Sequence, residues 1–144
     1  MRGGFILLVE DNRDDETLAL RALERAGVVV EVVVARDGAE ALDYLFGTGD
    51  YAGRDTSARP HVVLMDLQLP KVGGLEVLRR LRADERTRTL PVVILSTSDE
   101  PPDVAASYNL GANSYVRKPM GFGQLSDVLQ QLVLYWTQLN ASPF

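Results

Sequence analysis

The feature that most constrains this chain is a short apolar run that ends abruptly at an acid. Residues 62–65 read VVLM and are followed at once by Asp66. A continuous apolar run of this length, bounded by turn residues, is typical of a strand buried on both faces of a parallel sheet. A buried carboxylate is costly, but the C-terminal end of a parallel strand is where α/β sheets place their ligands and chemistry. We therefore expect Asp66 to be displayed at the mouth of a sheet.

The rest of the chain alternates strands and helices around that run. The predicted elements are β1 (5–9), α1 (14–26), β2 (28–35), α2 (39–46), β3 (62–65), α3 (75–84), β4 (92–95), α4 (101–110), β5 (113–116) and α5 (123–139). This repetition predicts a doubly wound, five-stranded parallel sheet of order 2-1-3-4-5, a flavodoxin-like (βα)5 fold with helices on both faces. We expect one domain over residues 1–144, with its core at about 5–139 and a flexible tail at 140–144.

Composition excludes several classes of function. The chain has no cysteine, so disulfides, thiol catalysis and cysteine metal sites are excluded. The net charge of −5 argues against sequence-independent binding of nucleic acid. No stretch is typical of a membrane span or a signal peptide, so we expect no membrane partner and a cytoplasmic location. The glycine-containing segment 47–60 predicts an exposed loop, either a binding loop or a tolerated insertion.

The predicted strand order brings several polar residues to one edge. In an order of 2-1-3-4-5 the switch point lies between β1 and β3. Glu10 and Asp11 follow β1, and Asp66 follows β3. Three converging carboxylates repel one another unless a cation joins them, and oxygen ligands favour Mg²⁺, with Mn²⁺ able to substitute. Ser96 follows β4 and Lys118 follows β5, so both are expected at the same rim.

This set of groups suits a phosphoryl group. The metal and Lys118 would neutralise its charge, Ser96 would donate a hydrogen bond, and Asp66 would be the nucleophile that forms an aspartyl phosphate. Each residue taken alone has a structural explanation: Asp11 could open a helix, Ser96 could cap a turn and Lys118 could be a surface cation. Their coincidence at four strand ends favours the functional interpretation.

Four segments carry a resemblance to a known family. They are LLVEDN (7–12), VVLMDLQLPKVGGLEVL (62–78), LPVVILSTS (90–98) and GANSYVRKP (111–119). In content, order and separation they resemble the receiver domain of two-component response regulators, the chemotaxis-regulator-like fold. The resemblance implies that Asp66 is the phosphoacceptor and that Lys118 contacts the phosphate. It implies that Mg²⁺ is held by Glu10, Asp11, Asp66 and the backbone carbonyl of Gln68. It also implies that Ser96 is the switch hydroxyl and Tyr115 the switch aromatic.

The resemblance also implies partners. The long 47–60 loop, the LSTS sequence and an α5 with an apolar tail are similar to regulators that partner bacterial phytochrome histidine kinases. The chain would then take its phosphoryl group from a histidine kinase, possess no separate enzymatic activity, and assist only its own phosphorylation and dephosphorylation.

No output domain follows α5 in this sequence, so the signal is expected to leave through a protein contact. Ser96 stands where Thr is commoner, and Thr97 adds bulk beside the site, which bears on phosphate access and lifetime.

Other functions remain as alternatives. The receiver could be an intermediate in a phosphorelay, a phosphate sink or a constitutive scaffold. A flavodoxin-like cofactor binder would need a Gly-, Ser- or Thr-rich loop after β1, where this chain has EDNRDD. A metal-dependent phosphatase would need a second acid two residues after its nucleophile, and that position is Gln68.

The pattern of α5 predicts a surface for self-association. The apolar stripe predicted to face the core is Leu125, Val128, Leu129, Leu132, Trp136 and Leu139. Leu134 falls on the opposite side, while Val133 and Tyr135 widen the stripe. A surface helix seldom needs that much apolar area, which favours a homodimer through α4, β5 and α5. A broad but fully packed stripe is the alternative.

Overall fold

The computed structural model describes residues 4–27, 30–118 and 121–144, except for the side chain of Phe122. Its strands form one parallel sheet in the order β2-β1-β3-β4-β5, which confirms the predicted topology. The strands are Phe5–Val9 (β1), Glu31–Ala35 (β2), Val62–Met65 (β3), Val92–Ser96 (β4) and Ser114–Arg117 (β5). The helices are Arg13–Arg25 (α1), Gly38–Phe46 (α2), Gly74–Ala83 (α3), Pro101–Asn109 (α4) and Phe122–Leu134 (α5).

The ends of the elements differ from the predicted ends by a few residues. β2 begins at Glu31, and Val28 and Val29, which were predicted to open it, lie outside the described residues. α1 begins at Arg13 because the Asn12 side chain accepts the Asp15 N–H at 3.0 Å and caps the helix. The extent of the domain and the flexibility of the tail 140–144 stay predictions.

Two apolar layers flank the sheet and explain the continuous run in β3. Val63 and Met65 pack on the side of α2 and α3, whereas Val62 and Leu64 pack on the side of α1 and α5. Successive side chains of a strand point to opposite faces, so a strand covered on both faces needs an apolar residue at every position. All residues of β3 are buried accordingly.

The C-terminal part of α5 corrects one prediction. The helix is α-helical only to Leu134 and continues as a π-helical turn over Tyr135–Leu139, closed by the Asn140 N–H donating to the Tyr135 carbonyl at 2.7 Å. The wider π turn rotates Leu139 off the predicted stripe, so Leu139 is 76% exposed rather than in the core. Val133, predicted only to widen the stripe, is buried.

The segment 47–60 is folded back onto α2. Tyr51, in a short 3₁₀ helix at Gly49–Tyr51, donates its hydroxyl to Glu40 Oε2 at 2.7 Å. The guanidinium of Arg54 lies over the Tyr44 ring, 4.0 Å from its centroid. The Arg54 contact lies toward the beginning of β1, because Tyr44 also packs edge-on against Phe5, whereas the Tyr51 contact reaches Glu40 in the first turn of α2. Among the described residues, no helix is long and apolar enough to cross a membrane.

Candidate functional site

Asp66 lies at the C-terminal end of β3, where the sheet itself fixes its backbone. Its N–H donates to the Val9 carbonyl at 3.1 Å and extends the pairing of β1 with β3 beyond the last strand residue. The carboxylate accepts the Gln68 N–H on Oδ1 at 3.2 Å and the Lys118 ammonium on Oδ2 at 3.1 Å. Asp66 is therefore anchored on its backbone while its carboxylate faces the rim of the sheet.

Gly74 lets the start of α3 approach the backbone of Asp66. A Cβ on Gly74 would lie 2.6 Å from the Asp66 carbonyl oxygen and 2.9 Å from the Leu67 Cα, which is closer than a side chain tolerates. The Gly74 N–H donates to the Leu67 carbonyl at 3.0 Å. The turn after Asp66 is thus closed against α3, and Gln68 stays beside Asp66 through its own N–H.

Glu10 is the buried acid of the site. It follows β1, and its N–H donates to the Ala35 carbonyl of β2 at 3.0 Å. Its two carboxylate oxygens are held separately, one by Lys118 at 2.6 Å and the other by the Asn12 N–H at 3.1 Å. Burial raises the pKa of Glu10, although the Lys118 hydrogen bond and charge act in the opposite direction.

Glu10, Asp11 and Asp66 form the acidic centre predicted from the strand ends. Their ligand oxygens all lie within 4.8 Å of one another. Hard divalent cations prefer such all-oxygen sets, and three carboxylates this close repel one another without a cation. The arrangement therefore fits a divalent metal ion.

Lys118 is the cation of the site. It follows β5, its backbone N–H donates to the Ser96 carbonyl at 2.6 Å, and its side chain is only 9% exposed. Its ammonium bonds to Glu10 at 2.6 Å and to Asp15 and Asp66 at 3.1 Å each. Burial alone would lower the pKa of Lys118, but the Glu10 hydrogen bond and the charges of Asp66 and Glu10 outweigh it and raise the pKa.

Asp15 is a member of the site that sequence reasoning missed. It was placed only in the first turn of α1, as one of several acids of EDNRDD. A usable signal was present, since helices that follow parallel strands begin at the C-terminal edge of the sheet, so the first turn of α1 lies beside Asp66.

The two predicted switch residues are joined through Ser98, which the sequence did not single out. Ser96 is buried, and its hydroxyl oxygen accepts the Ser98 N–H at 3.2 Å. The Tyr115 hydroxyl donates to the Ser98 carbonyl at 2.7 Å. The Ser98 hydroxyl in turn donates to Asp103 in the first turn of α4 at 2.6 Å. The loop between β4 and α4 therefore connects Ser96, Tyr115 and the start of α4.

The chain has a doubly wound parallel sheet, with three clustered acids and a buried lysine at its switch point. This combination is typical of a class of α/β proteins that bind or transfer a phosphoryl group. Comparison with known families agrees with that class. The family model described as response regulator receiver domain matches residues 6–130, and the chain belongs to this family. It is therefore a receiver of two-component signalling. Such receivers are signalling proteins and generally not enzymes.

Several relatives match nearly end to end. The probable methanogenesis regulatory protein FilR2 of Methanothrix harundinacea is 43% identical over 139 residues, which covers 96% of this chain and 87% of that protein. The crystal structure of the phosphorylated cyanobacterial phytochrome response regulator RcpA has a TM-score of 0.91 at 38% identity and covers 99% of this chain and 100% of its own. The Mn²⁺-bound response regulator Rcp1 of Synechocystis has a TM-score of 0.88 at 34% identity, covering 98% and 99%.

Proposed function

We propose that this receiver takes a phosphoryl group from a histidine kinase onto Asp66. The observation that carries the proposal is the convergence of groups on that carboxylate. Asp66 Oδ2 lies 3.1 Å from Lys118 Nζ, and the ligand oxygens of Glu10, Asp11 and Asp66 lie within 4.8 Å of one another. A carboxylate oxygen of Asp66 attacks phosphorus, the bond from phosphorus to the donor histidine nitrogen breaks, and an acyl phosphate forms on Asp66.

The surrounding residues have separate roles in this transfer. Glu10, Asp11, Asp66 and the backbone carbonyl of Gln68 would hold Mg²⁺, or Mn²⁺ in its place, which supplies positive charge to the phosphoryl oxygens when bound. Lys118 places its ammonium beside Asp66, where it can turn from the carboxylate to a phosphoryl oxygen. Ser96 would donate its hydroxyl to another phosphoryl oxygen. The same groups would assist both phosphorylation and dephosphorylation of Asp66.

The output would begin at Ser96. When its hydroxyl turns to the phosphoryl group, it gives up the Ser98 N–H that it now accepts at 3.2 Å. Ser98 also accepts the Tyr115 hydroxyl and donates to Asp103, so a shift of this loop would change Tyr115 and α4 together. We propose that phosphorylation biases two packings of this loop.

The kinase partner is proposed to be a bacterial phytochrome. Its support is the near full-length similarity to RcpA, which is itself called a phytochrome response regulator. The similarity to FilR2 keeps a different kinase, a phosphorelay or a phosphate sink as alternatives. Phosphotransfer from candidate kinases of the same genome decides between them. We also propose that this receiver is located in the cytoplasm.

The nucleophile is tested with Asp66→Asn. We expect the parent to gain one phosphoryl mass with Mg²⁺ and acetyl phosphate, and the variant to gain none while keeping the far-UV circular dichroism of the parent. Asp14→Asn is the matched control, because it removes one carboxylate from an exposed position near the site and should gain the same phosphoryl mass as the parent. Equal phosphate uptake by Asp66→Asn and the parent would refute the assignment.

We further propose a homodimer through α4, β5 and α5. Leu134 and Tyr135 are exposed on and beyond the end of α5, and Tyr108 is exposed on α4, where its hydroxyl accepts the Tyr115 N–H at 3.1 Å. In an isologous dimer each substitution changes the contact twice. Leu134→Glu should therefore shift the protein to monomer and leave phosphorylation intact.

The dimer is measured by light scattering at several concentrations, with and without phosphorylation. Gln131→Glu is the matched control, because it adds the same charge at an exposed position of α5 without removing an apolar side chain. A parent that stays monomeric at high concentration in both states would refute the dimer.

A further inference from the structure

The ammonium of Lys118 is fully occupied by carboxylates. An ammonium has three N–H donors, and here they meet Glu10 at 2.6 Å and Asp15 and Asp66 at 3.1 Å each. A phosphoryl group on Asp66 would have to take one of these donors. The hydrogen bonds of the other two N–H donors then determine whether the ammonium stays at the mouth of the site.

The three partners of Lys118 are not equivalent. Glu10 and Asp66 belong to the cluster of ligand oxygens that fits a divalent metal, whereas Asp15 is not among those residues. A metal ion would draw Glu10 and Asp66 toward itself and weaken their hold on the ammonium. Asp15 is the partner of Lys118 that neither the metal set nor the phosphoryl group would engage.

The start of α1 places Asp15 for this role. Asn12 caps the helix by accepting the Asp15 N–H on its side chain at 3.0 Å, which fixes the third residue of the helix next to Lys118. The N–H of Asn12 donates to Glu10 Oε2 at 3.1 Å. One residue therefore sets the backbone of Asp15 and the carboxylate of Glu10 relative to each other.

We propose that Asp15 is the positioning residue for Lys118, and that it holds the ammonium beside Asp66 while Glu10 and Asp66 are engaged with the metal and the phosphoryl group. The inference rests on the proposed role of Asp66. It assigns Asp15 no contact with the phosphoryl group, and its effect on transfer passes through Lys118.

The sequence allows a direct spectroscopic test. The chain contains only two lysines, Lys71 and Lys118. The side chain of Lys71 is 71% exposed, whereas that of Lys118 is 9% exposed, so in protein labelled with ¹⁵N-lysine only Lys118 should give a slowly exchanging ammonium signal. Spectra are recorded for the parent, Asp15→Asn and Asp14→Asn, first without metal and then with Mg²⁺ and beryllofluoride as a phosphoryl mimic.

We expect Asp15→Asn to shift the Lys118 signal without metal and to lose it in the loaded form, while Asp14→Asn matches the parent in both. Asp14 is the adjacent, exposed acid in the same helical turn, so it controls for the change of charge. A Lys118 signal that is unchanged by Asp15→Asn would overturn the inference. The metal-free spectra do not depend on phosphoryl chemistry, so a parent that takes up no phosphate would overturn the proposed function alone.

Kinetics give a second test in which positioning and charge act in opposite directions. Removing any negative charge near the site should help an anionic donor to approach, so a pure charge effect would speed phosphorylation by acetyl phosphate in both variants. Loss of a group that orients a functional side chain typically slows the reaction, here by about tenfold for Asp15→Asn. Equal or faster phosphorylation of Asp15→Asn relative to Asp14→Asn would contradict the positioning role.

Discussion

The two edges of the sheet hold their cations in different ways. At the C-terminal edge Lys118 lies among three carboxylates, Glu10, Asp15 and Asp66. At the opposite edge, three arginines each lie over an aromatic ring and also bond to backbone carbonyls or a local carboxylate. These ring pairs are Arg54 with Tyr44 at 4.0 Å, Arg59 with Phe144 at 4.4 Å and Arg86 with Phe46 at 4.9 Å, measured to the ring centroids.

The two edges differ in whether the partners of each cation can bind another ligand in its place. The guanidinium of Arg54 donates to the carbonyls of Asp55 and Ala58 at 3.0 and 2.8 Å, and neither a carbonyl nor a ring has a competing charge to satisfy. Carboxylates can bind a metal or accept a phosphoryl group, and they then release the cation. At the N-terminal edge the segment 47–60 is therefore held by contacts that do not change partners. At the C-terminal edge Lys118 can exchange its partners.

The largest effect is expected when the exchangeable cation is removed. Lys118→Met leaves Glu10 buried beside Asp66 without its cation, and breaking one side of a buried ion pair costs about 3 kcal/mol of unfolding free energy. Without Lys118 the pKa of Glu10 should rise further above its ordinary value, because the lysine acts to lower it. The folded variant then keeps a proton that the unfolded chain loses, so its stability should fall as pH rises above 4.5, the ordinary pKa of this carboxyl group. Two measurements, at about pH 5 and about pH 8, sample this fall.

Urea unfolding without divalent metal at both pH values measures this effect. The stabilisation of the parent by Lys118 is fully present at both pH values, since both lie below 10.5, the ordinary pKa of a lysine, and the pKa of Lys118 is raised from it. Arg54→Met is the comparison from the other edge and should lose the same free energy at both pH values. A loss in Lys118→Met that does not depend on pH would show that the two edges behave alike.

A smaller effect is expected when one metal ligand is removed. Asp11→Ala takes one carboxylate from the cluster with Glu10 and Asp66, so it should relieve repulsion and be no less stable than the parent without metal. At Mg²⁺ one hundred times its dissociation constant, the parent should gain about 2.7 kcal/mol, and the variant should gain almost none. Phosphorylation should be lost as well.

Thermal melts with and without Mg²⁺ provide the measurement. Asp14→Ala is the control, because Asp14 is exposed and outside the cluster of ligand oxygens. A rise in melting temperature on adding Mg²⁺ that persists unchanged in Asp11→Ala would refute the metal role of Asp11.

The smallest effect is expected at the fixed edge. Arg54→Met removes the stacking on Tyr44 and two hydrogen bonds to carbonyls, all partly exposed, and should cost about 1 kcal/mol of unfolding free energy. Mg²⁺ binding and phosphorylation should stay at parental levels. Arg88→Met, which removes an exposed arginine, is the control and should be close to neutral. Slower phosphorylation of Arg54→Met would show that segment 47–60 communicates with the site.

Much of the fold was predictable because the signals are local. The run VVLM predicted a strand buried on both faces, and every residue of β3 is buried. Alternation of strands and helices predicted a parallel sheet with helices on both faces, and 2-1-3-4-5 is one of the two common orders of such a doubly wound sheet. The prediction for Leu139 was wrong because a helical stripe assumes constant geometry, and the π turn at Tyr135–Leu139 changes the rotation per residue.

The sequence by itself determined which chemical groups meet at the site. In a parallel sheet all strands end at one edge, so an acid after β1, an acid after β3 and a lysine after β5 must converge there. Glu10, Asp11, Asp66 and Lys118 do so. Their identities and positions required no knowledge of side-chain packing.

Only the tertiary structure decided how those groups are connected. Asp15 reaches Lys118 because Asn12 sets where α1 begins, and Ser98 joins Ser96 to Tyr115 because the loop after β4 folds over both. Hydrogen bonds form over distances near 3 Å, and whether two groups come that close depends on helix starts and loop paths. Local signals, the Asn12 cap and the position of α1 after β1, place Asp15 at this edge, but its 3.1 Å contact with Lys118 depends on packing that brings together residues 103 positions apart.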